Sequence, residues 1–489
     1  MLNELADITD EIHEMFSGFG ALFKQRTLQK ELKDESKLRK GDNVPKYLLG
    51  NSSGFFFGMK FGQAVIKSLK QGGHVLIIGS TGTHKTTAGG NPTLEICEDV
   101  MIVIDLNGTS AEFYAALEKP KRPYKVLNLM SDRGCIVRYD PFHMIHQGGE
   151  ENELLLLREL ALSIIPLPPN TSEPFWIQSA QNILTGALVY YYNLEDVKFI
   201  DAMISIQSTA FDVLIGNICE NKTASMYVNQ FTGIENLMES KMVAGVRAEL
   251  SNHIIPFVTD SQIVETFTPT DNPSAENSIV WDNIETHNIF IAVNEGEIEQ
   301  KSSAIRLILT QLTRYLERRP DKHSPEGKLL TPILIMCDEF PRYGKLESIE
   351  SAVATLRKRN VTIAIFIQGI EQLEKYYGKL GSRIIMNNSA YQAVLGVFDL
   401  ETQQYLSERI GSINVIQRGY GEGYNSKFAE PQTYRTQVSE SHELIYQPHE
   451  LARLGNKMIL ITPDGFCKLV KAPCYPKSKL TEEKNDDEN

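Results

Sequence analysis

The sequence predicts an α/β protein, a parallel sheet flanked by helices, with an all-helical segment inserted into it. Three observations carry this expectation. Short apolar runs alternate with helical periodicity in the first third of the chain and again toward its end. One run ends in a glycine-rich turn that opens a helix, and a later one ends in two adjacent carboxylates. Between them, residues 150–270 show helical periodicity and almost no strand signal.

Residues 1–41 are helical in pattern and mixed in charge, with Lys24, Arg26, Lys30, Lys33, Lys37, Arg39 and Lys40 gathering toward the end. They read as a solvated helix face or as an arm that docks on an acidic partner, a membrane surface or DNA. The stretch 51–54 is loop-like, and a regular α/β pattern begins after it. The run 74–78, flanked by Gly72, Gly73 and Gly79, is expected to be a buried strand followed by a helix. Strands are also expected at 101–104, ending at Asp105, and at 125–129. Helices are expected over 153–165, 175–192, 199–218 and 238–258. The sheet resumes with a strand at 287–293, a helix at 302–318 and strands at 333–337, 361–367, 391–395, 458–461 and 467–470. Residues 419–439, rich in Gly, Tyr, Gln and Ser, form an exposed loop or hairpin on this reading. Residues 481–489 carry five acids against one lysine and are expected to be a disordered tail.

Composition narrows the function classes. A chain of 489 residues with 42% hydrophobic and 23% charged residues buries a core and solvates its surface, which excludes disordered and fibrous classes. No run of 18 apolar residues is present, and the early Glu4, Asp7, Asp10 and Glu11 are unlike a signal peptide. A net charge of −13 argues against indiscriminate coating of nucleic acid but leaves room for a local basic channel. The six cysteines form no CxxC pair, which points to a reducing cytoplasm. His143 and His146 have metal-like spacing, but no further Cys or His supports them.

The chemistry concentrates in two segments. Residues 79–87 (Gly79, Ser80, Thr81, Gly82, Thr83, His84, Lys85, Thr86, Thr87) follow a strand and precede a helix, the context of a phosphate-binding loop. Backbone N–H groups of such a loop wrap a β-phosphate, Lys85 reaches the β- and γ-phosphates, and the Thr86 hydroxyl holds Mg²⁺. His84 stands where a glycine is expected before the lysine, so its backbone must be left-handed or bridging. The competing reading is a decayed loop that keeps only the fold. In the second segment the strand 333–337 delivers Asp338 and Glu339 to the carboxyl edge of the sheet. Asp338 is placed to hold Mg²⁺ through water and Glu339 to take a proton from attacking water. Gln368, at the tip of the next strand, is a candidate γ-phosphate sensor or a strand-end hydrogen bond. Arg357 is a candidate arginine finger for a neighbouring subunit's nucleotide or an ordinary surface salt bridge.

Taken together, the sequence resembles the conjugative and type IV secretion coupling ATPases, the TraG-like members of the hexameric FtsK/HerA class of DNA-pumping motors. The resemblance spans residues 54–475 and rests on HVLIIGSTGTHKTT at 74–87, RYDPF at 138–142 and FWIQSAQNILTGALVYY at 175–191. It continues in CDEFPRYGKLESIESAVATLRKRNVTIAIFIQGIEQLEKYYG at 337–378, LGVFDLETQQYLSERIG at 395–411 and LIYQPHELARLGNKMILI at 444–461. It implies a RecA-like P-loop NTPase domain over 46–149 and 283–476 and an inserted all-α domain over 150–282; the pattern and composition outside it set off an N-terminal helical arm over 1–45 and a disordered acidic tail over 477–489. It further implies ATP and Mg²⁺ as cofactors and a homo-hexameric ring that moves single-stranded DNA with its relaxase toward a membrane-embedded channel. By position, Lys85, Thr86, Asp338 and Glu339 match the family's nucleotide and metal residues, Gln368 its motif glutamine and Arg357 its candidate trans-acting arginine.

Three departures qualify the implication. His84 replaces the loop glycine, and Asn107 stands where relatives have the lysine of a DPKG-like turn, here DLNG. The family's N-terminal transmembrane helices find no counterpart in this sequence, so a cytoplasmic chain recruited to the inner face of the membrane by a separate anchor is expected. Two alternatives compete: a catalytically weak nucleotide-binding recruitment platform, and an FtsK/HerA-type double-stranded DNA translocase.

Overall fold

A computed structural model describes the chain from 41 to 474, apart from residues 42, 135, 147–148, 169–170, 233–240, 271–276, 282–283, 322, 324–326, 328, 347–348 and 422–434. The arm, save its last few residues, and the acidic tail lie outside the described residues.

Among the described residues an eleven-stranded sheet organises the molecule. Its strands are β1 (Phe55–Lys60), β2 (Gln63–Lys67), β3 (Val75–Gly79), β4 (Val100–Leu106), β5 (Tyr124–Asn128), β6 (Asn288–Val293), β7 (Ile333–Cys337), β8 (Val361–Ile367) and β9 (Tyr391–Gly396), and later β12 (Lys457–Thr462) and β13 (Gly465–Val470). Between these, β10 (Ser412–Gly421) and β11 (Arg435–Leu444) pair antiparallel as a separate two-stranded sheet; most of the stretch 419–439, expected as a loop or hairpin, lies outside the described residues. The sheet order is β2-β1-β13-β12-β9-β3-β8-β7-β4-β6-β5. From β9 to β5 every neighbouring pair is parallel, and from β9 outward to β2 every pair is antiparallel.

Burial on both faces explains why the parallel strands read as unbroken apolar runs. In β7, Ile333, Ile335 and Cys337 join a core on one face while Leu334 and Met336 join the core on the other, as a period of two requires. The second core includes Ala88 and Leu94, from the chain that leaves β3, and Phe113 and Tyr114 of the helix Thr109–Ala115. The first core runs without interruption from the sheet into the helical segment, through Leu157, Leu184 and Leu188 to Phe257 and Phe267.

That segment connects β5 to β6, which are adjacent parallel strands, so it enters and leaves at one edge of the sheet. It comprises Glu153–Ile164, Pro174–Tyr192, Phe199–Ser208, Phe211–Glu220, Lys241–Ile254 and shorter pieces through Ser261–Phe267. The RYDPF motif fastens its entry: Arg138 Nη2 pairs with Glu265 Oε1 at 2.9 Å, and Tyr139 Oη donates to Gln311 Oε1 at 2.6 Å. His146 stacks on Tyr192, and its Nδ1 lies 2.7 Å from the Tyr192 hydroxyl.

Three local differences from expectation have physical causes. The helix expected over 199–218 breaks at Thr209 and Ala210, both extended, which lets Phe211 pack edge-on against Phe231. The helix expected over 238–258 is described from Lys241 to Ile254 and then restarts at Pro256, which lacks the N–H that a continuous helix needs. The hairpin β1–β2 was not legible as strands. Its two-residue turn uses Phe61 at φ +49 and Gly62 at φ +78, a left-handed pair in which only the glycine is a typical turn residue.

Candidate functional site

β3 lies between β9 and β8, strands that arrive late in the chain, and its carboxyl end opens into the loop that starts at Gly79. Glycine is required there by close approach, because a Cβ would sit 2.4 Å from Thr83 Oγ1 and 3.2 Å from Leu395 Cβ. Two left-handed residues curl the loop, Gly82 at φ +79 and His84 at φ +67. Thr83 closes it, its Oγ1 donating to Ser80 O at 2.7 Å and its N–H to the same carbonyl at 3.2 Å. The chain then enters a single π-helical turn, Thr86–Gly90, followed by the helix Asn91–Ile96. His84 thus adopts the conformation that a glycine would reach freely, at a cost of about 1 kcal/mol or more. Its Nδ1 lies 3.4 Å from Thr87 Oγ1.

Five of the predicted residues converge at this edge. Thr86 Oγ1 donates to Asp338 Oδ2 at 2.6 Å. Lys85 Nζ donates to Gly79 O at 2.8 Å and lies 3.7 Å from Glu339 Oε1. Gln368 Nε2 donates to both Glu339 oxygens, at 3.2 and 3.1 Å, while its Oε1 accepts from Thr81 Oγ1 at 3.3 Å. Gln368 therefore ties the carboxylate pair to the loop. Glu339 itself is left-handed at φ +47, and its N–H donates to Asp338 Oδ1 at 3.0 Å.

The electrostatics of Asp338 are those of a carboxylate short of positive charge. Burial raises its pKa above the ordinary carboxylate range and the Glu339 charge adds to the rise, while the Thr86 hydroxyl and the Lys85 ammonium oppose it. The paired hydroxyl and carboxylate oxygens suit a hard divalent cation that keeps several waters and is bound by few protein ligands. Asp105, at the end of β4, is pushed up to about 6 by burial, against the pull of the Ala111 and Ser110 N–H groups, each 2.8 Å from one of its oxygens. It caps the helix Thr109–Ala115. In the DLNG turn Asn107 is left-handed at φ +58, and its Oδ1 accepts from Glu295 N at 2.7 Å, so this position bridges β4 to the segment after β6.

Arg357 is not brought to this edge. It lies in the 3-10 turn Leu356–Arg359, which precedes β8, and packs beside Gly72, which precedes β3. It therefore stands at the amino end of the strands whose carboxyl ends carry the site, roughly 16 Å away along β3.

Two contributors were missed by sequence reasoning. Tyr343 is fully buried, and its hydroxyl donates to the Asp338 carbonyl, bracing the turn that carries both carboxylates. Arg306, buried on the helix Ile298–Glu317, donates from Nη1 to Tyr343 O at 3.1 Å and from Nε to Ser163 O at 3.2 Å, joining that turn to the helix Glu153–Ile164. An arginine inside an otherwise amphipathic helix was the available signal.

The fold and site define a class: a RecA-like P-loop NTPase fold carrying an all-α insertion. Solved structures of the conjugative coupling protein TrwB share it. Its unbound monoclinic form superposes with a TM-score of 0.64 at 17% identity, covering 90% of this chain and 91% of that one. The same protein in complex with a non-hydrolysable ATP analogue gives 0.64 at 17% identity over 90% and 92%. The family model for type IV secretory system conjugative DNA transfer matches residues 25–488, and the chain belongs to that family. Among relatives, Protein VirD4 of Rhizobium radiobacter is 26% identical over 189 residues, 38% of this chain and 26% of its own length. The conjugal transfer protein TraG of the same organism is 20% identical over 408 residues, 80% of this chain and 60% of its own length. The chain thus spans from about a quarter to three-fifths of the length of these curated relatives. Among the described residues no helix is long and apolar enough to cross a membrane.

Proposed function

We propose that this chain is an ATP-dependent coupling protein of a conjugative type IV secretion system, which moves single-stranded DNA and its relaxase toward a membrane-embedded channel. The observation that carries the reading is the meeting of Lys85, Thr86, Asp338, Glu339 and Gln368 at the mouth of one curled loop. Family membership supplies the direction of that chemistry, DNA transfer.

The geometry supports the following roles. Lys85 exchanges its bond to the Gly79 carbonyl for the β- and γ-phosphates of ATP, and the loop residues Ser80 to Thr87 surround them. Thr86 and Asp338 would hold Mg²⁺, which when bound would supply charge neutralisation to the phosphates. Glu339 takes the proton of the attacking water, and Gln368, bonded to both of its oxygens, fixes the carboxylate's direction and registers the γ-phosphate through Thr81. Arg357, remote from its own loop, is proposed to serve the nucleotide of the next subunit in a homo-hexameric ring. The chain is proposed to work in the cytoplasm at the inner face of the membrane, against channel subunits or a separate anchor.

The test is ATP hydrolysis by the purified chain and by Lys85→Ala, with and without single-stranded DNA. DNA-stimulated turnover that disappears in the variant is the expected result; turnover that survives it overturns the assignment of the loop. One observation favours a second reading, the strained left-handed His84. If the natural chain binds ATP without turnover under every condition and His84→Gly hydrolyses it, the protein is a nucleotide-binding recruitment platform. Preference for duplex over single-stranded DNA would identify a double-stranded DNA translocase.

A further inference from the structure

Away from the phosphate loop, a cleft of about 450 Å³ opens between the 3-10 turn Pro448–Ala452 and the strands β12 and β13. Tyr446, His449, Glu450, Arg453, Lys457 and Lys468 line it. Its charge is unlike that of the chain as a whole, which carries −13. The single carboxylate, Glu450, is engaged at the Gln447 N–H at 2.7 Å, whereas the described residues provide no ion-pair partner for Arg453 or Lys457. Lys468 Nζ stands 5.7 Å over the Tyr446 ring, which holds a third cation against the cleft wall.

The cleft is distinct from the phosphate loop. Cys467 and Leu469 face the core that contains Ala88 and Leu94, so Lys468, between them, faces the opposite side of the sheet from the chain that leaves the loop. Strands β9 and β12 also intervene between β3 and β13. A nucleotide held by Lys85 and Thr86 therefore does not extend into it. The two places are nonetheless joined by a short run of backbone. Ser80 N donates to Gly396 O at 2.8 Å, Phe398 N donates to Ser80 Oγ at 3.0 Å, and Val397 N donates to the carbonyl of Leu451, inside the turn that walls the cleft, at 3.1 Å. These bonds give the loop at Ser80 a continuous contact path to that turn.

We infer that this cleft binds the phosphodiester backbone of single-stranded DNA, with Arg453, Lys457 and Lys468 as its phosphate contacts, and that its occupancy is linked to the phosphate loop through residues 396–398. The inference rests on the DNA-transfer reading above. A concave site with three convergent cations on separate elements suits a discrete phosphate-bearing strand better than a planar lipid surface.

The experiment compares the full chain with Arg453→Ala/Lys457→Ala/Lys468→Ala. Fluorescence anisotropy of a labelled single-stranded oligonucleotide is read across a salt series, ATP binding is read alongside it, and hydrolysis is measured with and without DNA. The expected result is an affinity loss of tenfold or more at moderate salt and a slope of log K against log salt shallower by about 2, because each contact to single-stranded DNA contributes about 0.7. ATP affinity and basal hydrolysis stay unchanged, while stimulation by DNA falls. An unchanged slope in a variant that still binds ATP overturns the cleft assignment alone. Failure of the natural chain to bind single-stranded DNA overturns the reading on which it rests. Loss of ATP affinity in the variant would make the cleft a nucleotide subsite, and loss of binding to phosphatidylglycerol vesicles with DNA binding intact would make it a lipid site; either result overturns the inference.

Discussion

Thr86 Oγ1 and Asp338 Oδ2 stand 2.6 Å apart although 252 residues separate them in sequence. The contact exists because β3 and β7 both end at the same edge, separated only by β8. If the pair holds Mg²⁺, Thr86→Ala and Asp338→Asn each lower hydrolysis by about 100-fold or more, whereas Thr86→Ser, which keeps the oxygen, restores most of it. Binding of a fluorescent ATP analogue in EDTA should be unaffected, and its enhancement by added Mg²⁺ should be lost. Retained enhancement in both variants would mean that the cation is held elsewhere.

Glu339 and Gln368 are expected to separate binding from chemistry. Glu339→Gln keeps the size of the group and removes its basicity, so ATP affinity persists while kcat falls by about 10² to 10⁴. Gln368→Glu would set one carboxylate against another at about 3 Å, in place of the two bonds now donated at 3.1 and 3.2 Å. That repulsion raises the pKa of the pair and moves the acid limb of the pH–rate profile upward. Gln368→Ala should lower kcat with no such movement. An identical pH profile in both Gln368 variants would place the proton acceptor elsewhere.

The sequence made the inner parallel strands legible because they are buried on both faces and so unbroken in their apolar pattern, as in β7 and β8. The same burial marked Asp338 and Glu339, polar residues that end such a run. It did not mark β1 and β2, where Gly58 and the exposed Phe61 interrupt the pattern. Helical periodicity likewise ran through Thr209 and Ala210, since the helices on either side bury similar residues. Tyr343 and Arg306 escaped notice for another reason. Their partners are the backbone carbonyls of Asp338, Tyr343 and Ser163, and no residue pattern announces an acceptor that every residue carries.

His84→Gly tests whether the left-handed backbone at φ +67 constrains the loop. Relief of strain is partly offset by the greater freedom of glycine in the unfolded chain, so stability should rise by no more than about 1 kcal/mol. Hydrolysis should be equal or faster. A variant that is instead clearly destabilised would show that the imidazole's contact with Thr87 Oγ1 outweighs the strain, and urea denaturation of both forms decides the sign.

Arg357 stands at the wrong end of β8 to reach its own loop, so a catalytic role must be exercised across a subunit boundary. Arg357→Ala should bind ATP normally but hydrolyse it poorly at every protein concentration. Lys85→Ala should be inactive with its arginine intact. Mixing the two inactive variants juxtaposes a working loop with a working arginine and should restore part of the activity. No recovery in mixtures shown to co-assemble would reduce Arg357 to a packing residue beside Gly72.

Lys67 gives a pH prediction independent of catalysis. Its side chain is fully buried, with Nζ donating to Gln71 O at 2.8 Å and Thr362 Oγ1 at 3.1 Å, and the Arg357 charge acts on it. Burial first, and that charge second, lower its pKa from 10.5 to about 7. Between those values the unfolded chain binds a proton that the folded chain does not. The contribution of this group to stability therefore rises with pH from about 7 to 10.5, and its penalty is fully present below 7. Lys67→Met removes this dependence whatever it does to absolute stability through the lost hydrogen bonds. Urea unfolding of both proteins between pH 7.5 and 9.5 should give a free energy that climbs more steeply in the natural chain, by at most about 1.4 kcal/mol per pH unit. Parallel pH dependences would mean that Lys67 keeps its proton throughout this range despite its burial, stabilised by the Gln71 carbonyl, the Thr362 hydroxyl and the Tyr391 ring 5.5 Å away.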